Sequence, residues 1–175
     1  MKLTFIRHTS VNVEPGICYG WSDVATASSF TEEAKQVCAS IKDTFFDAVY
    51  CSPLTRCRQL AAFCGYEHPY IDERLKELHF GTWEMQRWDA ITDPQLELWY
   101  KDWIHQRAGG AESYMDQYQR VSAFLDEIRN TVRQQCCIFT HRGVIACALV
   151  YARHCTIEKS FDEDIPYGSK TVIQL

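Results

Sequence analysis

The chain has 175 residues, of which 46% are hydrophobic and 23% charged, and its formal net charge is −5. This composition is ordinary for a soluble globular protein and argues against an intrinsically disordered chain. The negative charge disfavours nucleic acid or an anionic membrane surface as the main partner, and no apolar stretch approaches the length needed to cross a membrane.

The chain contains nine cysteines, and no two of them form a Cys-x-x-Cys pair. Most lie in apolar runs, where a free cysteine behaves as a small hydrophobic residue. Their number is odd, and the apolar run after Met1-Lys2 is too short for a secretory signal. We therefore expect a reduced, cytoplasmic protein with buried thiols, and nothing in the sequence requires a metal or another cofactor.

The first elements in the chain are a strand, a long loop and a helix. Leu3–Ile6 is a short apolar run rich in β-formers, which predicts a buried parallel strand. Residues 7–30 lack periodicity, and long loops of this kind are usually functional. Thr31 is the expected N-cap of the helix that follows. Apolar residues at helical spacing predict its buried stripe: Ala34, Val37, Cys38, Ile41 and Phe45.

A second strand is predicted at Ala48–Cys51, and Tyr70-Ile71 is a weaker third candidate. Ser52-Pro53 reads as an N-cap followed by a first-turn proline, and Gly65 as the end of the resulting helix. Residues 86–107 predict one or two short helices that cover the site. Three tryptophans in this stretch are most simply explained as core packing of a small cap: Trp88, Trp99 and Trp103.

Gly109–Ser113 interrupts the helical pattern, and a long amphipathic helix is predicted after it. Its buried stripe is expected to comprise Val121, Phe124, Leu125, Ile128 and Val132. A strand at Cys136–Phe139, a mostly apolar helix at 143–154 and a final strand at 171–173 complete the chain. This order predicts an α/β fold, a three-layer sandwich around a mainly parallel sheet. We expect residues 1–175 to form a single domain, with residues 78–112 as a small helical cap insertion.

Chemically active side chains follow three of the predicted strands. His8 ends the first strand, Arg56 begins the helix after the second, and His141 follows Phe139 directly. The carboxyl ends of parallel strands are where open α/β sheets bind ligands. Arg7 and Arg56 suit bidentate binding of a phosphate, and a neutral imidazole can attack phosphorus covalently.

His8 is the candidate nucleophile because it lies beside Arg7, and His141 is expected to stabilise the charge on the transferring phosphoryl group. The leaving alkoxide needs a proton, for which the sequence offers Glu77 and Glu84. The residues alone leave both open as the general acid; where Glu77 takes that role, we expect Glu84 to cap or anchor the helix that follows it. The predicted partner is therefore a small-molecule phosphate ester.

Several of these segments together resemble the histidine phosphatase (phosphoglycerate mutase-like) superfamily, whose motifs occur here in the family's order. The matching segments are Arg7-His8, Ser52-Pro53-Leu54-Thr55-Arg56, Glu77 with Phe80–Glu84, Gly109–Ser113 and Thr140-His141. The resemblance implies that His8 is phosphorylated, that Arg7, Arg56 and His141 bind the phosphate, and that Glu77 donates the proton. Within the superfamily the chain is most similar to bacterial α-ribazole phosphatases, which dephosphorylate α-ribazole 5′-phosphate during assembly of the cobalamin nucleotide loop.

The chain also departs from the family pattern near the predicted site. Thr9 and Arg142 stand where glycine is common, so we add both, together with Asn12, as further candidate contacts of the phosphate. Two alternatives remain open. One is a phosphoglycerate mutase or a sugar-phosphate phosphatase of the same superfamily. The other is a phosphate-binding module without catalysis.

Overall fold

The computed structural model describes residues 1–175 and contains five strands and five α-helices. The strands are β1 (Lys2–Arg7), β2 (Ala48–Cys51), β3 (Tyr70–Ile71), β4 (Gln135–Thr140) and β5 (Lys170–Gln174). The helices are α1 (Phe30–Ile41), α2 (Thr55–Phe63), α3 (Gln95–Lys101), α4 (Tyr114–Arg129) and α5 (Arg142–Tyr151). Single turns of 3₁₀-helix lie at Glu73–Leu75, Gly81–Trp83, Trp88–Ala90 and Ile157–Lys159. None of the helices has both the length and the apolarity that crossing a membrane requires.

The sheet has the strand order β3-β2-β4-β1-β5, in which only β5 runs antiparallel to its neighbour. The predicted α/β fold with a mainly parallel sheet is therefore confirmed. Strand β4 lies at the centre, with Thr140 paired to Arg7 of β1 and Phe139 paired to Cys51 of β2. This register brings the carboxyl ends of β1, β2 and β4 together at one edge of the sheet.

The two faces of the sheet are covered by different helices, because successive strand residues point to opposite sides. Phe5 belongs to a cluster of 20 buried residues that includes the apolar faces of α4 and α5. Ile6 belongs to a second cluster of 10 buried residues, formed with α1 and α2. The three layers predicted from the sequence follow from this alternation.

Two helices end earlier than their apolar periodicity predicts. Helix α1 ends at Ile41, and Phe45, predicted in its buried stripe, is 77% exposed. Helix α4 ends at Arg129, and Val132 is 94% exposed. The prediction that both residues belong to buried helical stripes is wrong, because the helical spacing of apolar residues continues by chance beyond the last turn of each helix.

The predicted helix starts also need correction. Helix α1 begins at Phe30, and the residue at its N-cap is Ser29 rather than Thr31. Helix α2 begins at Thr55, since Leu54 is still extended with φ −66° and ψ 137°. The expected cap at Ser52 is therefore wrong, and the Ser52 hydroxyl lies 2.8 Å from Nε2 of His141 instead.

Residues between α2 and α4, together with Cys18 from the loop after β1, pack around a third apolar cluster. Its buried members are Cys18, Trp83, Leu96 and Ala108, surrounded by Phe80, Trp88, Ile91 and Trp99. The rings of Trp88 and Trp99 stack with centroids 5.7 Å apart. Trp103 does not join them, because its ring packs on Phe161 against the main core at 4.5 Å. The prediction of cap packing is therefore wrong for Trp103.

Gly81 and Gly109 bring two backbone segments of this region into direct contact. Both adopt positive φ, +56° at Gly81 and +53° at Gly109. A Cβ atom at Gly109 would lie 2.1 Å from the carbonyl oxygen of Phe80. Gly110 also has a positive φ, +75°, but a Cβ atom there would meet nothing within 4 Å.

We expect Gly109→Ala to destabilise the protein more than Gly110→Ala, although both place alanine at a positive φ. The backbone strain alone costs about 1–2 kcal/mol, and the collision at Gly109 adds about 1–3 kcal/mol. Urea unfolding of the two variants measures the difference. Equal free energies of unfolding would show that the contact between residues 80–82 and 109 contributes no stability.

Candidate active site

A cavity opens at the sheet edge where β1, β2 and β4 end. One half is lined by charged and polar groups and one glycine: Arg7, His8, Arg56, Glu77, Gln117 and Gly143. The other half is lined by mostly apolar and aromatic side chains: Ile17, Tyr19, Leu78, Phe80, Trp88 and Phe161, with Arg142 among them. The sequence-predicted His8, Arg7, Arg56 and Glu77 thus share one cavity.

His8 presents a neutral imidazole to this cavity. Its Nδ1 lies 2.7 Å from the carbonyl oxygen of Thr9, which can only accept a hydrogen bond, so Nδ1 carries the proton and Nε2 the lone pair. Burial lowers the pKa of His8 well below its ordinary value of 6.5, and the nearby cation of Arg56 lowers it further. The ring is therefore unprotonated at neutral pH, as a nucleophile must be.

Two guanidinium groups beside His8 have unused donors. Arg56 is fully buried, and its Nη1 and Nη2 donate to the carbonyl oxygens of Ser22 and Gly20 at 2.9 and 2.7 Å. Arg7 donates from Nη1 to the carbonyl oxygen of Ile165 at 2.6 Å. The Nε atoms of both arginines are buried without a hydrogen-bond partner. An anion in the cavity is the natural acceptor for such donors.

His141 lies behind His8 and does not line the cavity. The two ring centroids are 5.2 Å apart, and His141 is fully buried with its Nε2 close to Ser52 and to Sγ of Cys57 at 3.5 Å. Burial, and next the charge of Arg56, lower the pKa of His141 well below 6.5. In this geometry the edge-on contact with the His141 ring supports the position of His8.

Glu77 also lines this cavity, and its carboxylate is held by three N–H donors. Oε1 accepts from the backbone N–H of Leu78 at 3.0 Å and from Nε2 of Gln117 at 3.1 Å. Oε2 accepts from the backbone N–H of Gly143, in the first turn of α5, at 3.2 Å. A Cβ atom at Gly143 would lie 2.3 Å from Oε1, so glycine is required for this approach.

Arg120 in α4 fixes the backbone that carries Glu77. Its guanidinium donates to the carbonyl oxygens of Arg74 at 2.6 Å, Lys76 at 2.7 Å and Glu77 at 2.9 Å. It also pairs with Glu112, with Nε and Oε1 2.6 Å apart. Sequence reasoning missed Arg120, as it missed Gln117 and Ser52. Of these three, only Gln117 could have been noticed from periodicity, because it is a polar residue four positions before Val121 on the apolar face of α4.

The three further candidates differ in position. Arg142 lines the cavity, and its Nη2 donates to the carbonyl oxygen of Phe161 at 2.6 Å. Thr9 is fully buried with an unpaired hydroxyl but does not line the cavity. Asn12 is exposed and lines a separate cleft, so the structure places it away from the predicted phosphate site.

Glu84 does not anchor the helix after it, which corrects the prediction. Its carboxylate accepts from the backbone N–H groups of Trp21 at 2.8 Å, Ser22 at 2.5 Å and Phe80 at 3.2 Å, and from the Ser22 hydroxyl. Burial alone would raise the pKa of Glu84, but these hydrogen bonds hold it below its ordinary value. Glu84 therefore ties the 21–22 loop to the turn at Phe80 and stays ionised.

Comparison with known proteins identifies the family of the chain. Residues 3–175 match the family model of the histidine phosphatase superfamily (branch 1), so the chain belongs to that superfamily. It is 29% identical over 166 residues to the adenosylcobalamin/alpha-ribazole phosphatase of Salmonella typhimurium, covering 90% of this chain and 81% of that protein. The resemblance inferred from the motifs is thereby confirmed.

Solved structures show the same fold. The alpha-ribazole phosphatase from Shigella flexneri superposes with a TM-score of 0.89 at 25% identity, covering 100% of this chain and 91% of that chain. A phosphoserine phosphatase from Entamoeba histolytica superposes with a TM-score of 0.79 at 22% identity, covering 98% and 89%. The fold is therefore shared with phosphatases that are named for different substrates.

The lowered pKa of His8 predicts how stability depends on pH. As the pH falls through about 6.5, the unfolded chain binds a proton on His8 and the folded protein does not, so the free energy of unfolding decreases. The decrease continues until the pH reaches the pKa that His8 has in the folded protein. We expect His8→Gln to reduce the slope of stability against pH in that window by about 1.4 kcal/mol per pH unit.

Urea unfolding at a series of pH values on both sides of 6.5 measures this slope. His154→Gln is the matched control, because the His154 imidazole is exposed to water in the folded state as in the unfolded one. An unchanged slope in His8→Gln would show that His8 binds protons equally well in both states.

Proposed function

We propose that this protein hydrolyses the phosphate monoester of a small metabolite through a phosphohistidine at His8, with α-ribazole 5′-phosphate as the leading substrate. One observation carries the proposal. A neutral imidazole with a free Nε2 shares a cavity with Arg7 and Arg56, whose buried Nε donors have no partner. A phosphate dianion would use both donors and place phosphorus near the nucleophile.

In the first step, Nε2 of His8 attacks phosphorus and the bond to the ester oxygen breaks. The leaving alkoxide takes a proton from Glu77, which lines the cavity with His8. The products are the free alcohol, phosphorylated His8 and ionised Glu77. Arg7 and Arg56 stabilise the equatorial oxygens, while His141 keeps the His8 ring in place.

The other half of the cavity supports the choice of leaving group. Its aromatic side chains, Phe80, Trp88 and Phe161, suit a flat apolar base better than a polyol. The relatives from Salmonella typhimurium and Shigella flexneri are named for α-ribazole, a nucleoside with such a base. If the enzyme instead prefers phosphoglycerates, Arg142, which also lines the cavity, is the residue that would bind the substrate carboxylate.

The cysteines support a reducing compartment, which we infer to be the cytoplasm. Six of the nine are buried, and among them Cys57 is fully buried with Sγ 3.5 Å from Nε2 of His141. Burial raises the pKa of Cys57 well above its ordinary value, so the thiol stays protonated. Oxidation of Cys57 to a larger group would displace His141 from His8.

A substrate panel tests the proposed function directly. We expect α-ribazole 5′-phosphate to give a higher kcat/KM than sugar phosphates or phosphoglycerates, and acid-labile, base-stable label to appear on His8. His8→Ala should abolish both turnover and label. Transfer between phosphoglycerates without net hydrolysis would indicate a mutase. Tight phosphate binding without turnover or label would indicate a binding module.

Glu77→Gln separates acid catalysis from a structural role. On an alkyl phosphate, whose alkoxide leaves poorly, we expect phosphorylation of His8 to slow by about 100-fold or more. On p-nitrophenyl phosphate, whose leaving group needs little protonation, the first step should retain most of its rate. Single-turnover labelling of His8 measures both rates.

Glu73→Gln is the control for Glu77→Gln. Glu73 is a nearby carboxylate, mostly exposed and paired only with Lys76, so both rates should match the wild type. Equal slowing of Glu77→Gln on the two substrates would mean that Glu77 only holds the site together.

A further inference from the structure

Gln117 is a buried polar residue of the cavity wall, and only the nitrogen of its side-chain amide has a hydrogen-bond partner. The residue is fully buried, and its Nε2 donates to Oε1 of Glu77 at 3.1 Å. Its Oε1 is buried without a hydrogen-bond partner. An unpaired buried acceptor costs free energy, so the fold alone would favour an apolar residue here. The unpaired oxygen therefore indicates that a ligand donates a hydrogen bond to it.

The orientation of the amide follows from its neighbour. A carboxylate oxygen has no hydrogen to donate, so the atom facing Glu77 is Nε2, and Oε1 faces away from that contact. Both amide atoms pass close to Gly143, where a Cβ atom would lie 2.9 Å from each of them. Glu77 and Gln117 thus stand side by side over a glycine and offer two kinds of acceptor oxygen to the same part of the cavity.

A water molecule that attacks phosphohistidine beside Glu77 needs two hydrogen-bond acceptors. One of its protons goes to Glu77, and the second O–H needs another acceptor, but Arg7 and Arg56 can only donate. An alcohol has a single O–H and needs only Glu77. We propose that Oε1 of Gln117 accepts the second hydrogen of the attacking water, and thereby favours hydrolysis of phosphohistidine over transfer to an alcohol. This inference rests on the proposed function.

Hydrolysis of phosphohistidine is the second chemical step. The water oxygen bonds to phosphorus, and the bond from phosphorus to Nε2 of His8 breaks with its electron pair returning to Nε2. One water proton passes to the Glu77 carboxylate. The second stays on the new phosphate oxygen, hydrogen-bonded to Gln117. The products are inorganic phosphate, neutral His8 and protonated Glu77, which is the acid required for the next first step.

The ratio of transfer to hydrolysis tests this role. His8 is phosphorylated with p-nitrophenyl phosphate in water containing methanol, and methyl phosphate and inorganic phosphate are both measured. In Gln117→Met, which keeps the volume but loses the acceptor, the ratio of methyl phosphate to inorganic phosphate should rise about fivefold, as for one lost hydrogen bond. Gln119→Met, an exposed position on the same helix, should leave the ratio unchanged.

Gln117→Glu is the second variant. It loses the N–H that faces Glu77, so the two carboxyl groups must share a proton to keep that contact, and both rates should fall. Because it keeps an oxygen acceptor at the same reach, its ratio should stay within about twofold of the wild type. If Gln117 only holds Glu77, Gln117→Met will slow transfer and hydrolysis equally, and an unchanged ratio overturns the inference. A rise of the same size in Gln117→Met and Gln117→Glu also overturns it. Absence of label on His8 of the wild type overturns the proposed function, and this inference with it.

Discussion

The site depends on a buried positive charge that has no negative partner. Arg56 is fully buried, forms no ion pair with a carboxylate, and is held only by the carbonyl oxygens of Gly20 and Ser22. Such burial is costly unless an anion shares the cavity. Burial lowers the pKa of both His8 and His141, and the charge of Arg56 lowers both further. One side chain therefore offers its charge to an anion in the cavity and helps to keep the His8 imidazole unprotonated.

Glu77, the proposed general acid, is positioned in this site by a different route from the other groups. His8 and His141 follow neighbouring strands whose hydrogen bonds fix their spacing. Glu77 lies in a loop, where no strand pairing sets its position. Arg120 replaces that pairing by binding three backbone carbonyl oxygens of residues 74–77, and is itself held by Glu112. The position of Glu77 is therefore set by α4, on which Gln117 also lies.

The sequence allowed the strands and the residues at their ends to be predicted, because short apolar runs at β1, β2 and β4 leave few alternatives. It did not reveal contacts between distant residues. Ser52 has the local pattern of a helix cap, and only its contact with His141, 89 positions further on, gives it another role. Phe45 and Val132 continue an apolar period, but nothing in that period marks where the helix stops. Such outcomes depend on tertiary packing rather than on local preference.

The aromatic cluster between α2 and α4 has a kinetic consequence. It has four buried members, far fewer than the two clusters that cover the sheet, and two of the residues around it, Phe80 and Trp88, line the cavity. Opening this region exposes less apolar surface than unfolding the sheet, so it costs less free energy. Under the proposed function, Phe80 and Trp88 contact the leaving group, so this wall of the cavity opens more easily than the sheet edge that receives the phosphate. The residence time of the alcohol product would then be governed by a few ring contacts and not by the phosphoryl chemistry.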